Sequence, residues 1–307
     1  MKLAFIFLGI ILFVCEGNAM EYNAHALGNY RGHTMTNSKE ALENSYKTGF
    51  RFFETDIQRT SDGHFVAYHL WTQADADNLH IPYNAQQPVP DLKTFLNYRY
   101  LTNVFPAGLT PLTLENIFDF MKEHRDVTVM FDFLAGYVDR DNSELMRSFA
   151  AAFTDKDIIR RSVVETYSLN NARSLYEAGY PNVQPWIDTP ENSEKDFQSV
   201  EEIAAFIKKY AVKNVSMSPS RIKNNPADLE VLHKEGVRVF SPGWNTPDDL
   251  KTAEKSGVDV ATTDLPMCAA SSKMKKLRYR LLSHLLFGKK AEKYKEKYKR
   301  LSACIFR

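Results

Sequence analysis

The residues most able to do chemistry are five carboxylic acids and two histidines at the ends of predicted β-strands. They are His25, Glu54, Asp56, His69, Asp132, Glu165 and Asp264. Strand ends usually carry apolar residues or turn formers, so titratable groups in all these places indicate one polar site. Carboxylates are hard oxygen ligands for divalent cations, and imidazole exchanges protons near neutral pH.

Glu54 and Asp56 are two residues apart on one predicted strand, so both side chains point to the same face. Two buried like charges are unfavourable without a cation, and Asp132 on the next strand adds a third carboxylate. An all-oxygen ligand set favours Ca²⁺ or Mg²⁺ over zinc. The alternative is that these acids cap loops or pair with Arg51 and Arg59.

His25 and His69 are candidates for general acid and general base, although a histidine at a strand end can also be purely structural. Three further residues are candidates for substrate contact. Asn37 could donate a hydrogen bond to a bound ligand or begin a helix, Glu165 could bind substrate or a polar neighbour, and Trp244 could line a pocket or pack beneath its rim.

Eight predicted strands alternate with helices and position these residues. The strands cover residues 22–26, 52–59, 127–134, 163–168, 183–187, 215–218, 237–241 and 259–263, with a return strand at 65–69. Eight such units predict an α/β fold, a (β/α)8 TIM barrel, whose chemistry lies at the carboxyl ends of the strands. The stretch 70–111 is weakly periodic and rich in Asn, Gln, Asp and Pro, which predicts a long loop or an insertion.

Composition sets the class of protein. The chain has 307 residues, of which 44% are hydrophobic and 25% charged, with a net charge of +1. These values are typical of a globular protein and exclude disordered and collagen-like chains. The balanced charge gives no indication of nucleic-acid binding. Three cysteines are too few for a disulfide scaffold, although Cys268 and Cys304 could pair.

Both ends of the chain differ from the predicted barrel, which we place at residues 20–270. Residues 1–19 combine Lys2, an apolar run and a small-residue cleavage site, which predicts a signal peptide and export to the periplasm or the extracellular space. An uncleaved anchor, or a lipid attached at Cys15, is the alternative. The tail, 271–307, has nine Lys and four Arg against two Glu from Lys273 to Arg307. Its leucines recur at helical spacing, which predicts a basic amphipathic helix for an anionic membrane surface or envelope polymer, or for docking on the barrel.

The segment from Ala24 to Trp71 resembles the opening of the glycerophosphodiester phosphodiesterases, which are related to phosphatidylinositol-specific phospholipase C. The matching residues are His25, Asn37, Glu54, Asp56 and His69, followed by Asp132 in VMFDFL and by Thr263-Asp264 near the end. The resemblance covers residues 22–267 and implies metal-dependent hydrolysis of a phosphodiester, with two histidines as acid and base. A phospholipase C- or D-like activity, or a barrel that binds phosphorylated glycans or lipids without turnover, are the alternatives.

Two basic residues of the family pattern are absent from this chain. The family has His-Arg-Gly where this chain has His25-Ala26-Leu27, and a Lys where this chain has Leu134. Arg31 could supply the missing charge from the following loop, and we therefore include it among the candidates for substrate binding.

Overall fold

The structure is a computed structural model, and it describes residues 20–133, 142–188, 200–268 and 305–306. Its strands are β1 (Glu21–Ala24), β2 (Phe52–Arg59), β3 (Phe65–Ala67), β4 (Leu112–Thr113), β5 (Thr128–Asp132), β6 (Ser162–Thr166), β7 (Val183–Pro185), β8 (Asn214–Ser216), β9 (Arg238–Ser241), β10 (Val260–Thr263), β11 (Met267–Cys268) and β12 (Ile305–Phe306).

Eight of these strands form a parallel sheet in the order β7-β6-β5-β2-β1-β10-β9-β8. A single parallel bridge between Trp186 and Ser216 brings β7 beside β8. The sheet is therefore a nearly closed barrel, and the prediction of a (β/α)8 TIM barrel is confirmed.

The helices are α1 (Lys39–Thr48), α2 (Gln73–Leu79), α3 (Leu92–Leu96), α4 (Leu114–Glu123), α5 (Ser143–Ala151), α6 (Lys156–Arg160), α7 (Leu169–Glu177), α8 (Val200–Tyr210), α9 (Pro219–Asn224), α10 (Pro226–Lys234) and α11 (Pro247–Lys255). Side chains of Ser38, Thr113 and Thr246 cap the starts of α1, α4 and α11. Such caps satisfy backbone N–H groups that have no partner within the helix.

Strand β2 shows how the sequence builds both faces of the barrel wall. Phe53 and Ile57 point outward into the main core beneath the helices. Phe52 points inward and joins a small apolar cluster with Met130, Val163, Phe240 and Val260. Alternation places Glu54 and Asp56 on the same inner side, nearer the carboxyl end of the strand.

Of the two alternatives predicted for 70–111, a long loop or an insertion, the structure has the insertion. It contains α2 and α3 and leads directly into β4, which pairs with β3; β3 in turn pairs with the outer half of β2. A second core of buried aromatic and aliphatic side chains, including Tyr68, Phe95 and Tyr100, holds the insertion together. Its helices have five and seven residues, which is too short for helical periodicity to be visible in the sequence.

The predicted signal peptide and nearly all of the basic tail lie outside the described residues. The tail's last described residues, Ile305 and Phe306, form β12 and pair with β11. Within the part of the chain that the structure describes, none of the helices is both long enough and apolar enough to cross a membrane.

Candidate active site

Three carboxylates form one row across neighbouring strands at the mouth of the barrel. The register pairs Asp56 of β2 with Asp132 of β5, and Asp132 with Glu165 of β6. Glu54 lies one step deeper on β2. Parallel register therefore brings together residues that are more than a hundred positions apart in the chain, as the sequence predicted.

Glu54, Asp56 and Asp132 can each bring one oxygen to within 4.8 Å of the others. All three are buried. One oxygen of each carboxylate is held by a neighbouring donor: Ala26 N–H donates to Glu54 Oε2 at 2.5 Å, and Asn37 Nδ2 donates to Asp56 Oδ2 at 2.7 Å. The hydroxyl of Tyr167 donates to Asp132 Oδ2 at 3.0 Å.

The remaining oxygens of Glu54 and Asp132 are buried, and no described residue donates a hydrogen bond to them. Burial and the nearby charges of Asp56 and Asp132 raise the pKa of Glu54 well above its usual value. Burial and the nearby charges of Glu165 and Asp56 likewise raise the pKa of Asp132 well above its usual value. Buried oxygens that lack donors and repel one another fit a hard divalent cation.

Each histidine at the mouth has its own aspartate. His25 Nδ1 lies 2.8 Å from Asp264 Oδ1, and His69 Nδ1 lies 2.8 Å from Asp75 Oδ1. Bonding through Nδ1 leaves Nε2 as the free ring nitrogen, which in His25 lies 4.0 Å from Glu54 Oε2. Burial lowers the pKa of His25, but the hydrogen bond and charge of Asp264 outweigh burial and leave that pKa raised.

The loop after β1 reaches this geometry through unusual backbone angles. Ala26, Leu27 and Asn37 have φ values of 46°, 65° and 47°. Residues other than glycine in this region cost of order 1–3 kcal/mol each, and such strain clusters at functional sites. The turn at Ala26 directs its N–H to Glu54. Gly28 has φ 101°, and a Cβ there would lie 2.0 Å from Ser45 Oγ, so only glycine fits.

The two histidines and four carboxylates line one cavity of about 230 Å³. Its wall includes Tyr167 and Trp186, whose rings stack with centroids 5.6 Å apart. Among the described residues that line the cavity, none is Lys or Arg.

The remaining substrate-binding candidates lie in different places. Glu165 lines the cavity and accepts hydrogen bonds from Gln184 and Ser216. Asn37 lies behind Asp56 and is not among the cavity residues; its Oδ1 accepts from Thr55 and from the Asp56 N–H. Arg31 is exposed over the ring of Tyr30, and Trp244 is buried in the main core, so neither lines the cavity.

Sequence reasoning missed Asp75 and Tyr167. Asp75 lies in the stretch 70–111, for which the sequence predicts no helix, although Thr72-x-x-Asp75 is the pattern of a helix start and Thr72 caps α2. Tyr167 follows Glu165 by two positions, so strand alternation could have placed it on the inner face. Asp264, one of the strand-end acids, bonds His25 through Oδ1 and accepts a hydrogen bond from Asn245 through Oδ2.

Comparisons with known proteins agree with this geometry. Residues 26–267 match the sequence model of the Glycerophosphoryl diester phosphodiesterase family. A search of curated protein sequences returned no significant match.

Solved structures with the same fold include three glycerophosphodiester phosphodiesterases. One from Parabacteroides distasonis has 16% identity and a TM-score of 0.61, covering 86% of this chain and 98% of its own. Another from Thermotoga maritima has 17% identity and a TM-score of 0.58, with coverage of 84% and 98%. A third from Agrobacterium tumefaciens has 12% identity and a TM-score of 0.61, with coverage of 80% and 96%. At these identities the likeness concerns the fold.

Proposed function

The chain belongs to the glycerophosphoryl diester phosphodiesterase family of phosphoric diester hydrolases, and from that premise we propose that it cleaves a glycerophosphodiester-type substrate into a phosphomonoester and an alcohol. The observation that carries this proposal is the cavity itself. Two histidines, each bonded through Nδ1 to an aspartate, share it with three clustered carboxylates.

In this proposal Glu54, Asp56 and Asp132 hold a divalent cation, Ca²⁺ or Mg²⁺. The partnerless oxygens of Glu54 and Asp132 support it, as does a donor set that contains only oxygen. A bound cation of this kind would offset the negative charge of the phosphoryl oxygens during attack at phosphorus. Ala26 and Asn37 keep the carboxylates in place from behind.

His25 and His69 supply the proton transfers. One Nε2 takes a proton from the nucleophile, which is water or a hydroxyl of the substrate, and the other gives a proton to the departing alkoxide oxygen. Asp264 and Asp75 fix the rings and stabilise the positive charge that forms on each imidazole. Glu165, on the cavity wall, contacts the bound substrate.

A barrel that binds a phosphorylated glycan or lipid without turnover is the second candidate. The observation that favours it is the lack of Lys or Arg among the described residues of the cavity wall. The paired histidines favour catalysis, because simple binding has no need of two oriented proton carriers. A phospholipase C- or D-like activity would use the same groups on a lipid substrate.

The surroundings of the enzyme are also part of the proposal. The pattern in residues 1–19 supports export to the periplasm or the extracellular space. The excess of Lys and Arg in Lys273–Arg307 supports contact with an anionic membrane surface or envelope polymer.

Phosphorus NMR tests the proposed activity. The purified protein would be incubated with glycerophosphodiesters, lysophospholipids and phosphoinositides, in EDTA, Ca²⁺ or Mg²⁺. We expect cleavage that requires the ion and is lost in Glu54→Gln and His69→Ala but kept in His64→Ala, which changes an exposed histidine. A cyclic phosphate product would identify a substrate hydroxyl as the nucleophile. Absence of cleavage across the panel, with ion binding measured by calorimetry, would favour the binding barrel.

A further inference from the structure

The third carboxylate of the cluster is held by Tyr167, the residue that follows β6. Its hydroxyl donates to Asp132 Oδ2 at 3.0 Å and lies 3.5 Å from Glu165 Oε2. A hydroxyl has a single proton to donate, and the shorter contact identifies Asp132 as the acceptor. Within the described part of the chain, Asp132 Oδ1 has no hydrogen-bond partner. The hydrogen bond from Tyr167 therefore fixes which oxygen of Asp132 is free.

The same arrangement recurs at the other two carboxylates. Glu54 has one oxygen held by the Ala26 N–H, and Asp56 has one held by the Asn37 side chain. Each of the three acids thus has its own donor, and the three donors are a backbone amide, a side-chain amide and a phenol. Groups behind the ligands of a metal commonly orient them in this way, and their loss weakens metal binding.

The ring of Tyr167 is held in place by the ring of Trp186. It stacks on Trp186 with an interplanar angle of 25° and centroids 5.6 Å apart. The stack fixes the plane of the phenol, so that its hydroxyl stays directed at Asp132. Tyr167→Phe keeps this packing and removes only the oxygen.

We propose that Tyr167 is a positioning residue for the metal site, acting by holding Asp132 with one carboxylate oxygen turned to the ion. The inference rests on the proposed function, since it requires that Glu54, Asp56 and Asp132 bind a divalent cation. It assigns Tyr167 no proton transfer and no contact with the reacting phosphorus.

The test measures metal binding by the substrate-free protein, with Mn²⁺ as an oxygen-seeking probe followed by electron paramagnetic resonance. We expect Tyr167→Phe to raise the Kd for Mn²⁺ by about 10- to 100-fold. The metal concentration for half-maximal activity should rise by the same factor, while kcat at saturating metal stays within about threefold of wild type. The control is Tyr176→Phe on α7, whose hydroxyl lies 3.5 Å from the Val183 carbonyl, with no change expected in either quantity.

A mutant cycle shows whether Tyr167 acts through Asp132. Adding Tyr167→Phe to Asp132→Asn should leave the Kd of the single Asp132 variant unchanged, because the carboxylate to be held is gone. An unchanged Kd in Tyr167→Phe would overturn the inference alone, and so would a fall in kcat that saturating metal does not restore. A wild-type protein that binds no Mn²⁺, Ca²⁺ or Mg²⁺ would overturn the metal part of the proposed function as well.

Discussion

The two ends of the barrel surround their carboxylates with different partners. At the amino end, Asp157 accepts hydrogen bonds from Arg125 at 2.8 Å, from Arg160, and from Arg161 Nη2 at 2.5 Å. The hydrogen bonds of Arg161 and its charge hold the pKa of Asp157 below its usual value. At the mouth, burial and repulsion raise the pKa of Glu54 and Asp132 instead.

This contrast separates acids that stabilise the fold from acids that serve the site. Arg161 also donates to the carbonyls of Val127 and Met121, so the amino end is a satisfied network that ties α4, α6, β5 and β6 together. At the mouth, by contrast, one oxygen of Glu54 and one oxygen of Asp132 have no hydrogen-bond partner among the described residues. Uncompensated carboxylates destabilise the protein unless a cation binds, and strongly perturbed acids of this kind are typical of functional sites.

The largest effect should come from Asp56→Asn at the mouth. We expect kcat/KM to fall about 10³-fold, or about 4 kcal/mol, because the charge that binds the cation is reduced. The free energy of unfolding in EDTA should not fall, since the substitution removes a repulsive charge. Enzyme assays and urea denaturation measure the two quantities.

Asp157→Asn is the matched change at the amino end. It should lower the free energy of unfolding and leave kcat/KM unaltered. If Asp56→Asn and Asp157→Asn lowered the free energy of unfolding equally in EDTA, the proposed difference between the carboxylates at the two ends would be contradicted.

Arg161→Leu should have the second largest effect. The side chain is 12% exposed, and its removal leaves Asp157 and two carbonyls with fewer partners. We expect a loss of about 3 kcal/mol in the free energy of unfolding, with kcat/KM of the folded protein unchanged. Arg160→Leu, at a side chain that is 74% exposed, should cost less than about 1 kcal/mol. Similar losses in both variants would show that the burial of an arginine does not determine how much it stabilises the fold.

Asp75→Asn should have the smallest effect of the three. His69 would lose the charge that orients it, and kcat/KM should fall about 30-fold, or about 2 kcal/mol, part of what general acid–base catalysis contributes. The Kd for Mn²⁺ should not change, which distinguishes this variant from Tyr167→Phe. Asp77→Asn, which removes an exposed carboxylate bonded to Gln73, is the control. A higher Kd for Mn²⁺ in Asp75→Asn would mean that the histidine pairs and the carboxylate cluster do not act independently.

The parts of the site that the sequence predicted are those set by regular geometry. Alternation along β2 placed Glu54 and Asp56 on one face, and parallel register brought Asp132 beside Asp56. Strand and helix alternation likewise gave the barrel, because each unit buries its apolar face in a period visible in the sequence. Such features depend on near neighbours in the chain or on the rule that parallel strands end together.

The parts that could not be predicted depend on irregular backbone. Asn37 reaches Asp56 because its φ is 47°, and Ala26 N–H reaches Glu54 because its φ is 46°. Alanine strongly disfavours this angle, so residue type does not predict it at Ala26. Asparagine adopts it more readily, but residue type alone does not say which asparagine will do so. Asp75 comes from a short helix inside an insertion, and its meeting with His69 is a tertiary contact without a local pattern. Arg31 was a candidate by charge and loop position alone, and the structure places it outside the cavity.

The seam between β7 and β8 has a consequence for the way the barrel fluctuates. Their strand pairing consists of one bridge, Trp186 with Ser216, and Ile187 N–H donates across it to the Ser216 carbonyl at 3.0 Å. Local opening of a native protein is least costly where the fewest backbone hydrogen bonds must break. Both bridge residues line the cavity. Among the barrel strands, amide exchange with solvent should therefore be fastest in this part of the cavity wall. The cavity can widen here without unfolding of the other strands.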